Sequence, residues 1–338
     1  DHTRTDVYGT LRTHFEAMPM VEDWQEVERL ADLTPAIELY DKLIGLGLYD
    51  EAIEVFYDRL DGATLWRLSA SRLRVDLLEK LFPDGPDGPP RLRRARAQSF
   101  TLNALALGHQ FSGQPGAAAF RFRLANEIYA REEDQAGRSV GLCNLSGALR
   151  LSGPLSVAEA SALEALILTR KREDRFQEGV SLYWIGLAQA SRGVPDESTT
   201  ALRRSLRIWQ AQNDQQGVGM VSAYLAEVAL WQDDDATAIP LADRAWALAS
   251  VQRLAADFIR AARLQGTAAL SLGDLLMAGE RLHHALQRAR AISHVEEELP
   301  TLVALAEWHR QRGEPKEARE RLDDVWDPAE TGPYPLFH

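Results

Sequence analysis

Side chains able to do catalytic or metal chemistry are few in this chain of 338 residues, and poorly spaced for either task. The single cysteine, Cys143, lies mid-helix by pattern with no basic partner near it in sequence, and reads as a small buried hydrophobe, not a nucleophile. One cysteine also excludes an intrachain disulfide framework and a cysteine-rich zinc site, which fits a reducing, cytoplasmic setting. Of the eight histidines, His283 and His284 are adjacent and face different ways on a helix; no HxxxH or HExxH pair occurs. Serine, histidine and aspartate are present without a GxSxG elbow to organise them. The carboxylate pairs Glu132-Glu133 and Asp323-Asp324 read as polar linkers or helix surface. Neither GxxxxGK[ST] nor a GxGxxG following a strand occurs, so no NTPase site belongs to this stretch. A non-catalytic chain without metal or cofactor is expected.

What the chain does have is a periodic scaffold. Glycine recurs at Gly113, Gly153, Gly193, Gly273 and Gly313, a step of 40, and the missing beat falls in the turn-forming run Asp233-Asp234-Asp235. Five places after each beat stand Ala118, Ala158, Ser198, Ala238, Ala278 and Ala318. Twelve places after stand Ala125, Ala165, Ser205, Ala245, Ala285 and Val325, and eight before stand Leu105, Leu145, Ile185, Leu225, Gln265 and Leu305. Such columns mark a solenoid. The apolar residue before the turn belongs to a first helix, A; the small residues after it share one face of a second, B, and let the pair approach closely.

The columns resemble the tetratricopeptide repeat (TPR), whose unit is shorter, at about 34 residues. The family's small residue of helix A appears as Ala106, Ser146, Gly186, Ala226, Gly266 and Ala306. The family's proline near the end of helix B is absent, and the longer unit implies longer helices. The resemblance, over roughly residues 99–326, implies an all-α fold: a right-handed αα-superhelix of six TPR-like hairpins of about 40 residues, each touching its neighbours. It also implies which helix-A positions line the concave groove. Asn103, Gln110, Phe111, Arg150, Tyr183, Glu227, Trp231, Arg260, Arg263 and Arg310 are the candidate ligand-binding set. The aromatics suit stacking on a ring or anchoring apolar side chains. The arginines suit a carboxylate or phosphate. The competing reading packs the aromatics against the neighbouring hairpin and pairs the arginines internally with Glu227 or Glu307.

The net charge of −12 argues against nucleic-acid phosphates as partners and leaves cationic, neutral or peptide-like ones. No stretch approaches 18 uninterrupted apolar residues, so no membrane span is expected. Composition is that of a soluble helical chain, 45% apolar and 26% charged, and its length points to two domains or an elongated solenoid. Residues 1–32 read as one or two helices separated by Pro19. Residues 34–61 read as a divergent hairpin about Gly47, and a further helix spans about 64–81. The Pro/Gly-rich run at 83–90 breaks the chain. The expected organisation is therefore an arm over 1–90, six repeats over 91–327, and an extended or turn-like tail over 328–338. The absence of an initiating Met, and a next repeat due where the chain stops, suggest a piece of a longer protein.

The junction LFPDGPDGPPRL and the following LNALALGHQFSGQPGAA also resemble the sensor end of bacterial STAND signal-transduction NTPases. In that family an NTPase module and winged helix precede a helical arm and a TPR sensor. The resemblance implies an inducer (protein, peptide or small molecule) bound in the groove, relieving autoinhibition of an upstream NTPase module that contacts this region. The alternative is a free-standing TPR adaptor or co-chaperone binding peptide segments of other proteins.

Overall fold

The computed structural model describes residues 2–85, 88–252 and 254–331, with side chains over 5–85, 88–251 and 254–325. Twelve helices follow one another in hairpins, each helix packed mainly on the next. They are α5 (Ala95–Phe111) with α6 (Pro115–Arg131), α7 (Gln135–Ser152) with α8 (Leu155–Lys171), and α9 (Arg175–Ser191) with α10 (Pro195–Ala211). Then come α11 (Gln215–Trp231) with α12 (Asp235–Gln252), α13 (Ala255–Ser271) with α14 (Leu275–Ala291), and α15 (Val295–Gln311) with α16 (Pro315–Thr331). This is the all-α solenoid expected from the 40-residue columns.

The backbone period is shorter than the sequence period. The turn glycines adopt the left-handed conformation, with φ of 75–103° at Gly113, Gly153, Gly193, Gly273 and Gly313, and Asp233 takes the missing beat at φ 55°. Halfway between beats, the turns from one hairpin to the next place Glu133, Glu173, Asn213 and Ser293 in the same conformation, at φ 54–57°. Among the described residues a left-handed residue thus stops a helix every 20 residues from Gly113 to Asp233 and again from Gly273 to Gly313. Only alternate stops carry glycine; the others show in sequence as short polar linkers between repeats. The next residue starts the following helix: Asp134, Asp174, Asp214 and Asp274 each accept a hydrogen bond from the backbone N–H three residues on, at 2.6–3.0 Å. An aspartate there satisfies an otherwise orphaned donor and favours the positive helix end.

Small residues set the closeness of each hairpin. A Cβ at Gly186 would lie 2.7 Å from Leu202 Cγ and 3.2 Å from the Ser198 carbonyl oxygen. At Gly266 it would lie 2.7 Å from Leu282 Cγ and 3.3 Å from the Ala278 oxygen. In the hairpin between them Ala226 and Ala242, in the same columns, share one buried cluster.

The amino-terminal section departs from the sequence reading in two places. Helix α1 (His2–Glu16) forms, but 24–33 makes two 3-10 turns, Trp24–Glu26 and Leu30–Leu33, in place of a second helix. The divergent hairpin forms as α2 (Thr34–Gly45) and α3 (Tyr49–Val55) about Gly47, at φ 75°. The helix expected over 64–81 is broken: π-helical turns at Phe56–Leu60 and Ala63–Arg67 lead to Ser69, at φ 48°, before α4 (Ser71–Glu79). The break serves Arg74, which is 1% exposed. Its guanidinium ion-pairs with Asp61, donates to the Asp61 carbonyl (3.0 Å) and Thr64 Oγ1 (3.2 Å), and reaches Ala104 O of the first hairpin (2.9 Å). The arm therefore shares a core with α5 and α6: Leu77, Leu81, Phe82 and Leu92 cluster with Leu102, Leu105 and Ala125. At the other end, residues 328–331 continue α16 instead of turning away, and 332–338 lie outside the described residues.

Candidate ligand cleft

The solenoid curls tightly enough for its ends to meet. Arg150 of α7 donates to Glu296 of α15 across 146 residues at 3.2 Å, and the Phe111 and His294 rings stack at 5.1 Å. Leu151 joins a cluster with Leu270, Leu299 and Leu302. Much of the expected groove wall is thereby buried. An open cleft of about 1030 Å³ remains among the described residues. The last residues of four A helices edge it: Arg150-Leu151 of α7, Ala190-Ser191 of α9, Leu230-Trp231 of α11 and Leu270-Ser271 of α13. Helix α15 runs along its side, contributing residues from Glu296 to Gln311.

Beneath the cleft lies a chain of buried charges. Glu297, 2% exposed, accepts Arg260 Nε at 2.6 Å and Arg263 Nε at 3.3 Å. Arg263 also donates to Glu227 at 2.7 Å, and Arg260 reaches Asp257 at 3.5 Å. Burial works to raise the Glu297 pKa, but the Arg260 and Arg263 charges outweigh it and hold the carboxyl below its usual range. Burial also opposes the charge on Arg260, yet Glu297 keeps that guanidinium protonated well above its usual range. The guanidinium sits 4.7 Å from the centre of the Tyr224 ring, which meets Tyr183 edge-on at 5.3 Å. Burial lifts the Tyr224 hydroxyl to about 12 and Tyr183 well above its ordinary value; desolvation raises the half-buried Asp257 in spite of Arg260. Of Glu296, only Oε1 is used; Oε2 has no hydrogen-bond partner, and neither does Arg150 Nε.

The ten candidate residues separate accordingly. Arg150, Glu227, Trp231 and Arg263 line the cleft. Tyr183, 5% exposed, is not on an open wall: it packs between Trp184, Trp209 and Tyr224. Arg260 lies in the charge layer below. Gln110 is 2% exposed, Asn103 accepts from Asn144 at 3.0 Å, and Phe111 is capped by His294, so these three fall at the closed end. Arg310 is 68% exposed and paired with Glu307 at 2.6 Å, outside the rim. The internal pairing weighed for the arginines is thus what forms at Arg263–Glu227 and Arg310–Glu307. Sequence reasoning missed Glu296 and Glu297, which occupy the first turn of α15, ahead of the columns carried over from the TPR pattern. The signal for them was the run Glu296-Glu297-Glu298 facing two arginines in the preceding A helix. His294, at the turn into α15, is 1% exposed.

The other reactive groups have structural partners. Cys143 is fully buried beside Ser181 and Gln177, and burial pushes its thiol to about 12. His109 and His309, in one column, bond Gln114 (3.0 Å) and Glu314 (2.8 Å) through Nδ1 in the same way. Among the described residues, no group of three or more His, Cys, Asp or Glu side chains is placed to hold a metal ion. No described helix is long and apolar enough to cross a membrane.

No protein-family model matches the sequence, and no curated protein does. Solved structures do match. A Rap protein complexed with Competence and Sporulation Factor superposes with a TM-score of 0.66 at 15% identity, covering 98% of this chain and 97% of that one. The fold is a TPR-like solenoid. The Rap conjugation gene regulator of plasmid pLS20, in complex with the Phr* peptide, matches with a TM-score of 0.62 at 12% identity over 96% of this chain and 83% of that one. A STAND protein with a tetratricopeptide repeat sensor from Pyrococcus horikoshii matches with a TM-score of 0.55 at 12% identity. All of this chain is covered in that match, but only 48% of the STAND protein, so the chain spans about half of it. At these identities the likeness is one of fold.

Proposed function

We propose that this chain is a ligand-sensing module whose inducer sits in the cleft between the A-helix ends and α15, and that it serves as the sensor of a STAND signal-transduction NTPase. The observation that carries the reading is the cleft itself: an open, part-charged, part-apolar cavity set against an ion network that ties the first hairpins to the last. Occupancy there bears on how tightly the solenoid curls, because Arg150 and Glu296 belong both to the cleft wall and to the closure. The arm, bolted to α5 through Arg74, moves with the first hairpin and is the natural route to an upstream module. Likeness to the Pyrococcus sensor supports the STAND setting, and the neighbour solved in complex with the Phr* peptide supports a peptide as the ligand. A free-standing adaptor that binds peptides in the same cleft is the second reading.

The test is native mass spectrometry of the chain after incubation with cytosol from its own source, compared with Ser271→Trp, which fills the cleft from an exposed position. A retained ligand lost in Ser271→Trp is expected; retention unaffected by the substitution refutes the cleft. The STAND setting requires a phosphate-binding GxxxxGK[ST] upstream in the same reading frame and ATP hydrolysis stimulated by that ligand. Without both, the adaptor reading stands.

A further inference from the structure

The cleft has an uneven charge balance. Six carboxylates line it, Glu227, Asp233, Asp235, Glu296, Glu297 and Glu307, against two guanidiniums, Arg150 and Arg263. Counting Arg260 and Arg310, which pair with Glu297 and Glu307 from outside the lining, still leaves two carboxylates in excess. Asp233 and Asp235 enter no ion pair among the described residues. The backbone adds to this: the carboxyl ends of α7, α9, α11 and α13 converge on the cleft, and each carries partial negative charge. Independently, Glu296 is 8% exposed at the wall, with one oxygen on Arg150 and the other without any partner. A buried carboxylate oxygen left unpaired is costly, and a donor supplied by a ligand would remove that cost.

Beside this acidic floor stands an apolar shelf: Trp231 is 59% exposed, Val303 42% and Leu322 50%, all three on the cleft. A ligand that satisfies both surfaces carries a positive charge and an apolar side chain next to each other along an extended body. We propose that the cleft selects a basic peptide: a Lys or Arg side chain reaches Glu296, and a neighbouring apolar side chain lies on Trp231 and Val303. The proposal rests on the cleft's being the ligand site and adds the chemistry of what enters it. The indole face next to the acidic floor strengthens the preference, since a cation is attracted to it. The cleft's volume is at the upper end for small-ligand sites, which suits several peptide residues better than a lone amine.

The probes are two fluorescein-labelled pentapeptide pools with degenerate ends, one built on a central Leu-Arg-Leu and the other on Leu-Glu-Leu, titrated against the full chain by fluorescence anisotropy. The Arg pool is expected to bind at least about tenfold more tightly than the Glu pool. Glu296→Gln should weaken the Arg pool by about tenfold, the size of one lost charge-assisted hydrogen bond. Trp231→Ala, at an exposed position, should weaken it while leaving the circular dichroism unchanged. Equal binding of the pools, no binding of either, indifference to Glu296→Gln, or complete displacement by spermidine would each overturn the basic peptide. Ser271→Trp separates this failure from that of the cleft. Pools that bind alike but are both blocked by Ser271→Trp leave the cleft as the site and remove only the charge preference. Binding that ignores Ser271→Trp removes the cleft.

Discussion

Replacing Glu297 by Gln tests whether buried charge ties the last three hairpins together. The side chain keeps its shape and one acceptor, but two buried guanidiniums lose their shared counter-ion: Arg260 at 2.6 Å and Arg263 at 3.3 Å. Breaking a buried pair by removing one partner costs about 3–5 kcal/mol, because the remaining charge stays desolvated. Arg263 keeps Glu227 at 2.7 Å and Arg260 keeps Asp257 at 3.5 Å, so the lower end, about 3 kcal/mol, is expected. Urea unfolding followed at 222 nm gives the total, and hydrogen exchange should show the loss concentrated in α11, α13 and α15. The linkage has a definite sign. The folded pKa of Glu297 lies below its ordinary 4.5, so its contribution is complete above that value and is lost as the pH falls through the folded pKa. The gap between the parent chain and Glu297→Gln should therefore be full at pH 7 and close under strong acid. A cost below about 1 kcal/mol at pH 7, the range of solvated pairs, would refute the buried network.

Two further expectations concern the hairpins and their closure. Gly186→Ala should destabilise by about 1–3 kcal/mol through the 2.7 Å approach to Leu202, and the added cost should nearly vanish in a Leu202→Ala background, which recreates the Ala226–Ala242 arrangement; additive effects in a denaturation cycle would contradict this. Burial, helped by the Arg121 charge, depresses His109 to about 4, so between about pH 6.5 and 4 the unfolded chain binds a proton that the folded chain does not. Stability should fall on acidification through that window, and His109→Gln should flatten the slope; an unchanged slope would show that His109 titrates normally.

The sequence made the hairpins legible because helix stops and close contacts are local. A glycine that must be left-handed, an aspartate that caps the next helix and a small residue under a Leu each depend on neighbours within about 20 positions. Half of the stops are marked only by short polar linkers, since Glu133, Glu173 and Ser293 take the left-handed conformation without being glycine. The arm was harder for the opposite reason. The run that reads as one helix over 64–81 obeys local periodicity, but a buried arginine overrides it: Arg74 needs Asp61, Thr64 and the Ala104 carbonyl at once, and π turns with a left-handed Ser69 bring them round it. Satisfying a buried charge outweighs the intrinsic preference of a few helical residues.

The site was legible only where it depends on repeat columns, and its depth does not. How far the solenoid curls is a sum of small rotations over six hairpins, and no column encodes the sum. That sum brings Arg150 to Glu296 and Phe111 to His294, buries Tyr183 and Gln110, which the columns place on an open wall, and leaves four helix ends around one cleft. The acidic run at 296–298 looks like a polar helix start within its own repeat. Against Arg260 and Arg263 from the hairpin before, and Arg150 from four hairpins earlier, its first two members become the counter-ions that let charges be buried at all. The consequence is a coupling that a straight array of the same hairpins would lack. Arg150, which joins the ends, is bonded to Glu296 Oε1, so on the proposed reading a cation taking the free Oε2 shares that carboxylate with Arg150, and binding and curvature are linked through one side chain.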